Sequence, residues 1–220
     1  MAETATSESP PALIALAIAS GTADAIAYLG LGHVFVANMT GNTVLLGIAL
    51  ASGNGGDGLR SGLSLAGFCA GVALGALLLR TVRSSGVPAV LTLEVVVLAG
   101  LLGGWLAGGS RYVLIPVAAG AMGLQSAAIA SSGAEVATTY ITGTITRGIV
   151  RGRLPLPGAI WLFYAAAATV GVLAQRAWGG AAAAIPLAIV ATVTAVVHRR
   201  TTWARATGER ETAKGQRRTP

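Results

Sequence analysis

Asp24 is the residue of this chain whose position most suggests chemistry. It stands in an apolar stretch and is the only acidic residue between Glu8 and Asp57. Counted along a helix from Pro11, Asp24 lies roughly 20 Å in, past the midplane of a hydrocarbon core. A carboxylate at that depth costs about 2.5–3.5 kcal/mol, and such groups usually face a cavity, a partner or a proton path. Tyr28, one helical turn later, is its expected hydroxyl partner. Helix capping is the alternative role, because aspartate caps well.

The densest polar cluster of any apolar region follows Asp24, and a second cluster lies in the other half of the chain. The first comprises Asn38, Thr40, Gly41, Asn42 and Thr43, and the second comprises Thr142, Gly143, Thr144 and Thr146. Asparagine and threonine side chains at membrane depth need hydrogen-bond partners, and glycine permits a break or a close approach. Oxygens of these side chains and of unwound backbone would coordinate a small ion or a polar solute. Polar contacts that hold helices together are the alternative.

Other kinds of site find no support in the sequence. The one cysteine, Cys69, excludes an intramolecular disulfide and a cysteine-based metal cluster, and His33 and His198 show no zinc spacing. The sequence contains no hydrolase triad, phosphate-binding loop or dinucleotide fingerprint. Glu94, in another apolar stretch, is expected to snorkel to the interface. We therefore expect no enzyme activity, no metal and no cofactor.

The elements that must carry these residues are apolar helices. The chain has 220 residues, of which 54% are hydrophobic and only 10% are charged, too few to coat a soluble domain. Six stretches are long enough to cross a hydrocarbon core: 12–31, 61–79, 88–107, 113–131, 158–175 and 180–197. Two shorter, more polar segments, 34–51 and 136–150, each follow a span directly. The sequence predicts an all-α, polytopic membrane helix bundle with six crossings, or with eight if both polar segments cross fully.

The basic residues indicate how the bundle is oriented. Of the fifteen lysines and arginines, seven lie in the tail 199–220, and only Arg60, Arg111 and Arg176 would face the other side of a six-span chain. The positive-inside rule therefore predicts a cytoplasmic C-terminus. Residues 1–198 are expected to form a single membrane domain. The tail is predicted to be disordered and to attract anionic lipid headgroups, and nucleic-acid binding is not expected.

When the sequence is aligned with itself at an offset of 102 residues, the part of the first half that contains Gly21 and Gly41 aligns with the second half. The residues that then coincide include Gly21 with Gly123, Val34 with Val136, Thr40 with Thr142 and Gly41 with Gly143. Asp24 falls on Ser126. These matches predict an internal two-fold repeat with halves of about 11–107 and 113–198, inverted if each half crosses three times. Such repeats commonly place a site at their interface, which Gln125 beside Ser126 would complete.

The segment 24–50, DAIAYLGLGHVFVANMTGNTVLLGIAL, together with GLQSA at 123–127 and TTYITGT at 138–144, resembles the YoaK family of small bacterial membrane proteins. The match covers both halves in order, and VANMTGNTVLLG is its most specific part. The resemblance implies a multi-span inner-membrane protein of unknown function and brings no established substrate. Ser126 stands where the family typically has asparagine, so the resemblance does not imply a paired Asp/Asn site.

Two functions fit these features. The first is a small transporter or channel for an ion or a small polar solute. Its pathway would be formed by Asp24, Tyr28, Asn38, Thr40, Gly41, Asn42, Gln125, Ser126, Thr142 and Gly143. The second is a membrane-embedded interaction or assembly subunit without transport activity, for which the basic tail and small-residue stripes such as Gly67, Gly71 and Gly75 suffice. The small size of the chain predicts a homodimer.

Overall fold

The computed structural model describes residues 9–82, 86–131, 141–152 and 154–216, with the backbone alone at 141 and 204–216. Within these ranges the regular elements are helical, which confirms the predicted all-α polytopic bundle. We number the α-helices in chain order: α1 (Pro10–Gly30), α2 (Met39–Ala51), α3 (Gly55–Thr81), α4 (Gly86–Leu106), α5 (Arg111–Ser131), α6 (Ile141–Val150), α7 (Pro155–Trp178) and α8 (Ala184–Gln216). A short 3₁₀ helix, Gly179–Ala183, joins α7 to α8.

Six of these helices are long, whereas α2 and α6 are short. Helices α1, α3, α4 and α5 are each long and apolar enough to cross a membrane, and the apolar stretch Pro155–Trp203 contains α7 and the first part of α8. Gly179, with a φ of 54°, interrupts that stretch, since a left-handed residue ends a helix. Helix α2 has 13 residues and α6 has 10, fewer than the roughly 20 residues that a full crossing needs.

Helices α1 and α7 form one of two closely packed parallel pairs. Gly21 of α1 packs against Tyr164 of α7, and Ala25 packs against Gly171, so the contacts advance along both helices together. Helices α3 and α5 form the other parallel pair, with contacts that advance in the same way from Gly67 to Gly75.

The two pairs run in opposite directions. Gln125 of α5 hydrogen-bonds to Ser20 of α1, whereas Met122, earlier on α5, lines a small cavity together with Ala23, later on α1. Contacts that advance along one helix while they retreat along the other show that α1 and α5 are antiparallel. The halves of the chain are therefore oppositely directed at their first helices.

The long helices alternate in direction along the chain. Helices α4 and α8 are antiparallel, because Thr92 contacts His198 near one end and Trp105 covers Gly180 near the other. Helices α1, α4 and α7 thus run one way, and α3, α5 and α8 run the other. This arrangement is that of a chain with six crossings, not eight, and it leaves the first and last helices with their outer ends on the same side.

Helix α2 does not add a crossing. After α1 ends at Gly30, the chain returns along it to the level of Asp24, and α2 begins there at Met39. Helix α2 then runs antiparallel to α3, since Asn42 bonds to Ser64 and Ala49 lies beside Gly58. Residues 31–51 therefore enter the bundle and leave it on the same side. We call them the re-entrant segment.

Two boundaries differ from those predicted. Helix α3 begins at Gly55, six residues before the predicted stretch 61–79, because the Asn54 side chain caps it by accepting from the Asp57 amide at 3.1 Å. Helix α8 continues through Gln216, well beyond the predicted stretch 180–197, so it includes the described part of the tail. Between residues 187 and 207 the sequence has neither proline nor glycine, which favours this continuation.

Glycines on one face of α3 hold it against α5. A Cβ atom added at Gly71 would stand 2.9 Å from the Gly120 Cα, and one added at Gly67 would stand 2.6 Å from the Pro116 Cα. The two backbones therefore touch along this face, as the small-residue spacing predicts. Gly62, on the same helix, has no such neighbour within 4 Å.

Gly71→Ala is expected to destabilise the bundle by about 1–3 kcal/mol, because the added methyl group must push α3 away from α5. Gly62→Ala is the matched control and is expected to be neutral or stabilising, since alanine favours a helix over glycine. Thermal unfolding of both variants in detergent measures the difference. Equal melting temperatures for the two variants would contradict the close packing of α3 on α5.

Candidate functional site

The re-entrant segment begins with a reversal of the chain at the end of α1. Gly32 and His33 have positive φ angles of 99° and 62°, which turn the backbone back on itself. The ring of Phe35 stacks on Tyr28, and the ring of His33 meets the same tyrosine edge-on, each with centroids 5.1 Å apart. Gly41 leaves room for this arrangement, because a Cβ atom there would come within 2.8 Å of the Phe35 ring. These contacts hold the next residues of the segment beside α1.

Asp24 binds the backbone of this segment. Its Oδ1 atom accepts hydrogen bonds from the amides of Val36 and Ala37, both at 2.7 Å, and from the Asn38 amide at 3.4 Å. Its Oδ2 atom accepts a hydrogen bond from the hydroxyl of Tyr164 on α7. We call Asp24, these three amides and Tyr164 the Asp24 cradle. The cradle joins α1, the re-entrant segment and α7 through one carboxylate that is only 3% exposed.

Backbone dipoles, rather than a basic side chain, compensate the Asp24 carboxylate. Among the described residues the one ion pair joins Arg60 to Asp57, near the end of α1. Arg60 also donates to the Gly32 carbonyl at 3.0 Å, which ties it to the chain reversal and away from the cradle. Three converging amides form a concave arrangement suited to an anion, and the N-terminus of α2 directly after them adds a favourable dipole.

Asn42 links the re-entrant segment to α3. Its side-chain oxygen accepts from the Phe35 amide at 2.9 Å, and its side-chain nitrogen donates to the Phe35 carbonyl at 2.7 Å and to the Ser64 hydroxyl at 3.0 Å. Ser64 donates to the same carbonyl at 2.6 Å. Asn42 and Ser64 are fully buried, so these bonds replace the water that their polar groups lose on burial.

The other predicted residues of the first polar cluster cap α2 or lie on its surface. Asn38 is the N-cap residue of α2, and its side-chain oxygen accepts from the Gly41 amide at 3.2 Å. Thr40 and Thr43 are exposed, and the Thr43 hydroxyl donates to the Met39 carbonyl. The asparagines thus organise the start of α2 next to the cradle, whereas the threonines face outwards.

Gln125 reaches α1 from the second half of the chain. It is fully buried and donates to the Ser20 hydroxyl at 2.8 Å and to the Leu16 carbonyl at 3.2 Å. Ser20 lies one helical turn before Asp24, so Gln125 contacts α1 close to the cradle. Ser126 is partly buried and donates to the Met122 carbonyl of its own helix at 2.9 Å.

Thr142 and Gly143 are not brought to the cradle. They lie on α6, which packs chiefly on α7, whereas α2 packs chiefly on α3. Thr142 is exposed, and the carbonyl of the buried Gly143 accepts from Arg147 Nε at 3.2 Å. The two Thr-Gly pairs therefore lie on different helix pairs. Residues 132–140, which contain the first part of the second predicted polar segment, lie outside the described residues.

Tyr164 replaces Tyr28 as the hydroxyl partner of Asp24, which corrects the prediction. The returning chain covers the Tyr28 ring with Phe35, so that ring packs instead of donating to Asp24. Sequence reasoning missed Tyr164 and Ser64, which lie far from their partners along the chain. Their polar character within apolar spans was the available signal. Tyr164 follows Trp161 and Phe163, and such a group of aromatic residues is typical of membrane-interface anchors. The pattern therefore indicated an anchor and not a hydrogen-bond partner.

The cradle places an acidic group where the two halves of the chain meet, beside a small apolar cavity. A cavity of about 20 Å³ lies along α1 past Asp24 and is lined by apolar side chains that include Ala23, Ala27 and Met122. The described ranges contain no group of three histidine, cysteine or acidic side chains that would hold a metal ion. The polar groups of the cradle itself are one carboxylate, three amides and one hydroxyl.

Comparison with known proteins places the chain among transmembrane proteins. Residues 12–197 match the family model described as a protein of unknown function, DUF1275. The UPF0700 transmembrane protein YoaK of Bacillus subtilis (strain 168) is 36% identical over 148 residues, which cover 63% of this chain and 66% of that protein. The match thus spans just under two thirds of the relative's length. No solved structure matches the chain.

Proposed function

We propose that this chain, which belongs to the DUF1275 family as its resemblance to the YoaK family predicted, is a small transporter or channel for an ion or a small polar solute. The Asp24 cradle is the observation that carries the proposal. A buried acid inside a membrane bundle is expensive and is usually functional. A helix interrupted at membrane depth, with its backbone amides turned towards a charge, is a feature of solute sites in transporters.

The relation between the two halves supports the same proposal. Gly21 packs against the Tyr164 carbonyl, and Gly123, its match under the 102-residue shift, packs against the Phe68 carbonyl. The corresponding helices of the halves are oppositely directed, as α1 and α5 show. We propose that the halves are an inverted internal repeat, an architecture in which the solute site lies at the interface of the halves near the midplane.

The proposed repeat pairs an acid with a tyrosine hydroxyl group at only one of its two equivalent positions. Tyr164 faces Asp24 in one. In the other, Ser126 aligns with Asp24 under the shift, and Phe68 packs against Gly123 as Tyr164 packs against Gly21. The acid and the hydroxyl group are therefore combined once. We place the solute site at the Asp24 cradle, with Gln125, Asn38 and Asn42 supporting it.

Solute flux into liposomes tests the proposal. The purified protein would be reconstituted and assayed against a panel of alkali cations, carboxylates, amino acids and sugars, with protein-free liposomes as the control. Saturable uptake of at least one panel member is expected. Absence of uptake across the panel, together with stoichiometric co-purification of another membrane protein, would instead support the assembly-subunit function.

The orientation we propose has both ends of the chain in the cytoplasm and the protein in the inner (plasma) membrane. By their positions along the sequence, all but three of the fifteen basic residues would then fall on the side of the chain ends, and the three others are Arg60, Arg111 and Arg176. The positive-inside rule supports this orientation, and the basic tail would then meet anionic headgroups. A homodimer also remains our proposal, since a bundle this small often pairs to complete a pathway.

Cysteine labelling tests the orientation. In a Cys69→Ala background, Ser52→Cys, in the exposed turn after α2, is expected to react with an impermeant reagent in intact cells. Thr212→Cys, in the tail, is expected to react only after permeabilisation. Labelling of Thr212→Cys in intact cells would contradict a cytoplasmic tail.

A further inference from the structure

Glu94 is a second buried acid, and its surroundings differ from those of Asp24. It lies near the middle of α4 and is 0% exposed, so the predicted snorkelling to the interface is wrong. Neither of its carboxyl oxygens has a hydrogen-bond partner among the described residues. Leu91 and Leu98, one turn to either side on α4, belong to the hydrophobic core.

The packing of α4 places Glu94 at the centre of the bundle. Leu98, one turn further along α4, lines the same small cavity as Ala23 of α1 and Met122 of α5. Helix α4 runs in the same direction as α1, so Glu94 lies one turn before that level, close to the level of Ser20. Glu94 therefore lies at about the same depth in the bundle as the hydrogen bond between Gln125 and Ser20, which joins the two halves.

No described charged group compensates Glu94. Helix α4 packs against α3, α5, α8 and the 3₁₀ helix Gly179–Ala183, of which the last contains only glycine and alanine. Their described titratable or charged side chains are Asp57, Arg60, Cys69 and Arg80 of α3, Arg111 and Tyr112 of α5, and His198, Arg199 and Arg200 of α8. Of these, His198 contacts α4, with its Nε2 atom 3.0 Å from the Thr92 hydroxyl, which is exposed. The described residues give Glu94 neither an ion pair nor a hydrogen bond.

A carboxylate without donors or a counter-charge is far more costly in an apolar interior than the neutral acid. We propose that Glu94 is a proton-binding site at the centre of the bundle, and that its proton is exchanged as solute moves through the Asp24 cradle. This inference rests on the proposed transport function and adds the coupling ion to it. The two acids then have different roles. Asp24, held by four donors, binds the solute, and Glu94, to which none of the described residues donates, carries the proton.

Two measurements on the protein itself test whether Glu94 bears a proton. Infrared pH-difference spectra are expected to show the carbonyl band of a protonated carboxylic acid, which Glu94→Gln should remove and Asp57→Asn should leave. An apolar carbodiimide is expected to modify wild-type protein at Glu94, located by mass spectrometry, because it reacts with protonated carboxyl groups in apolar surroundings. This second test needs no variant. A band unchanged by Glu94→Gln, or wild-type protein that the reagent leaves unmodified at Glu94, would overturn the proposal.

The coupling is tested in liposomes that contain a pH-sensitive dye. With the member of the panel of alkali cations, carboxylates, amino acids and sugars that it takes up in the flux assay, wild-type protein is expected to show accumulation in response to a proton gradient and to dissipate that gradient. Glu94→Gln is expected to lose gradient-driven accumulation while it retains exchange of labelled for unlabelled solute. Wild-type uptake that does not depend on the proton gradient would overturn this inference, but it would not contradict the proposed transport function. Absence of any wild-type uptake would overturn both.

Discussion

Asp24→Ala is expected to lower the free energy of unfolding by at least about 3 kcal/mol, because it leaves several buried hydrogen-bond donors without an acceptor. Each unsatisfied donor costs about 1–3 kcal/mol. The amides of Val36 and Ala37 and the hydroxyl of Tyr164 would lose their acceptor. The re-entrant segment would then detach from α1 and α7. Thermal or denaturant unfolding in detergent measures the loss.

Two variants serve as controls for this loss. Asp24→Asn keeps an oxygen for the amides, and the Tyr164 hydroxyl would accept from the new side-chain nitrogen instead of donating, so stability near that of the wild type is expected. Thr43→Ala removes an exposed hydroxyl from the same segment and is expected to change stability by less than about 0.5 kcal/mol. Asp24→Ala as stable as Thr43→Ala would contradict the hydrogen bonds of the cradle.

The fold could be predicted from the sequence wherever burial in lipid allows only one backbone conformation. Apolar stretches of about 20 residues must be helices in a membrane, and the long helices follow the predicted stretches closely. Asp24 could be identified because an acid in an apolar span has few structural explanations. The cap at Asn54 was missed because one asparagine side chain extended α3 into a glycine-rich turn.

The partners of Asp24 could not be predicted, because they depend on how distant helices pack. Tyr164 is 140 residues away and reaches Asp24 only because α1 and α7 run in parallel at close range. Tyr28 is nearer along the chain, but the direction of the turn at Gly32 and His33 decides what covers its ring. Glu94 was misjudged for a related reason. The sequence gives its depth along α4 but not the face of the helix that the neighbours bury.

The central claim is that the charge of Asp24 serves a solute pathway and not only the fold. Asp24→Asn separates the two roles, since asparagine preserves the hydrogen bonds of the cradle and removes the charge. The decisive measurement is flux of the transported solute into liposomes that contain equal amounts of folded wild-type or Asp24→Asn protein. We predict that Asp24→Asn keeps a melting temperature near that of the wild type and loses uptake. An Asp24→Asn protein with undiminished uptake would contradict the claim and leave Asp24 as a structural anchor of the re-entrant segment.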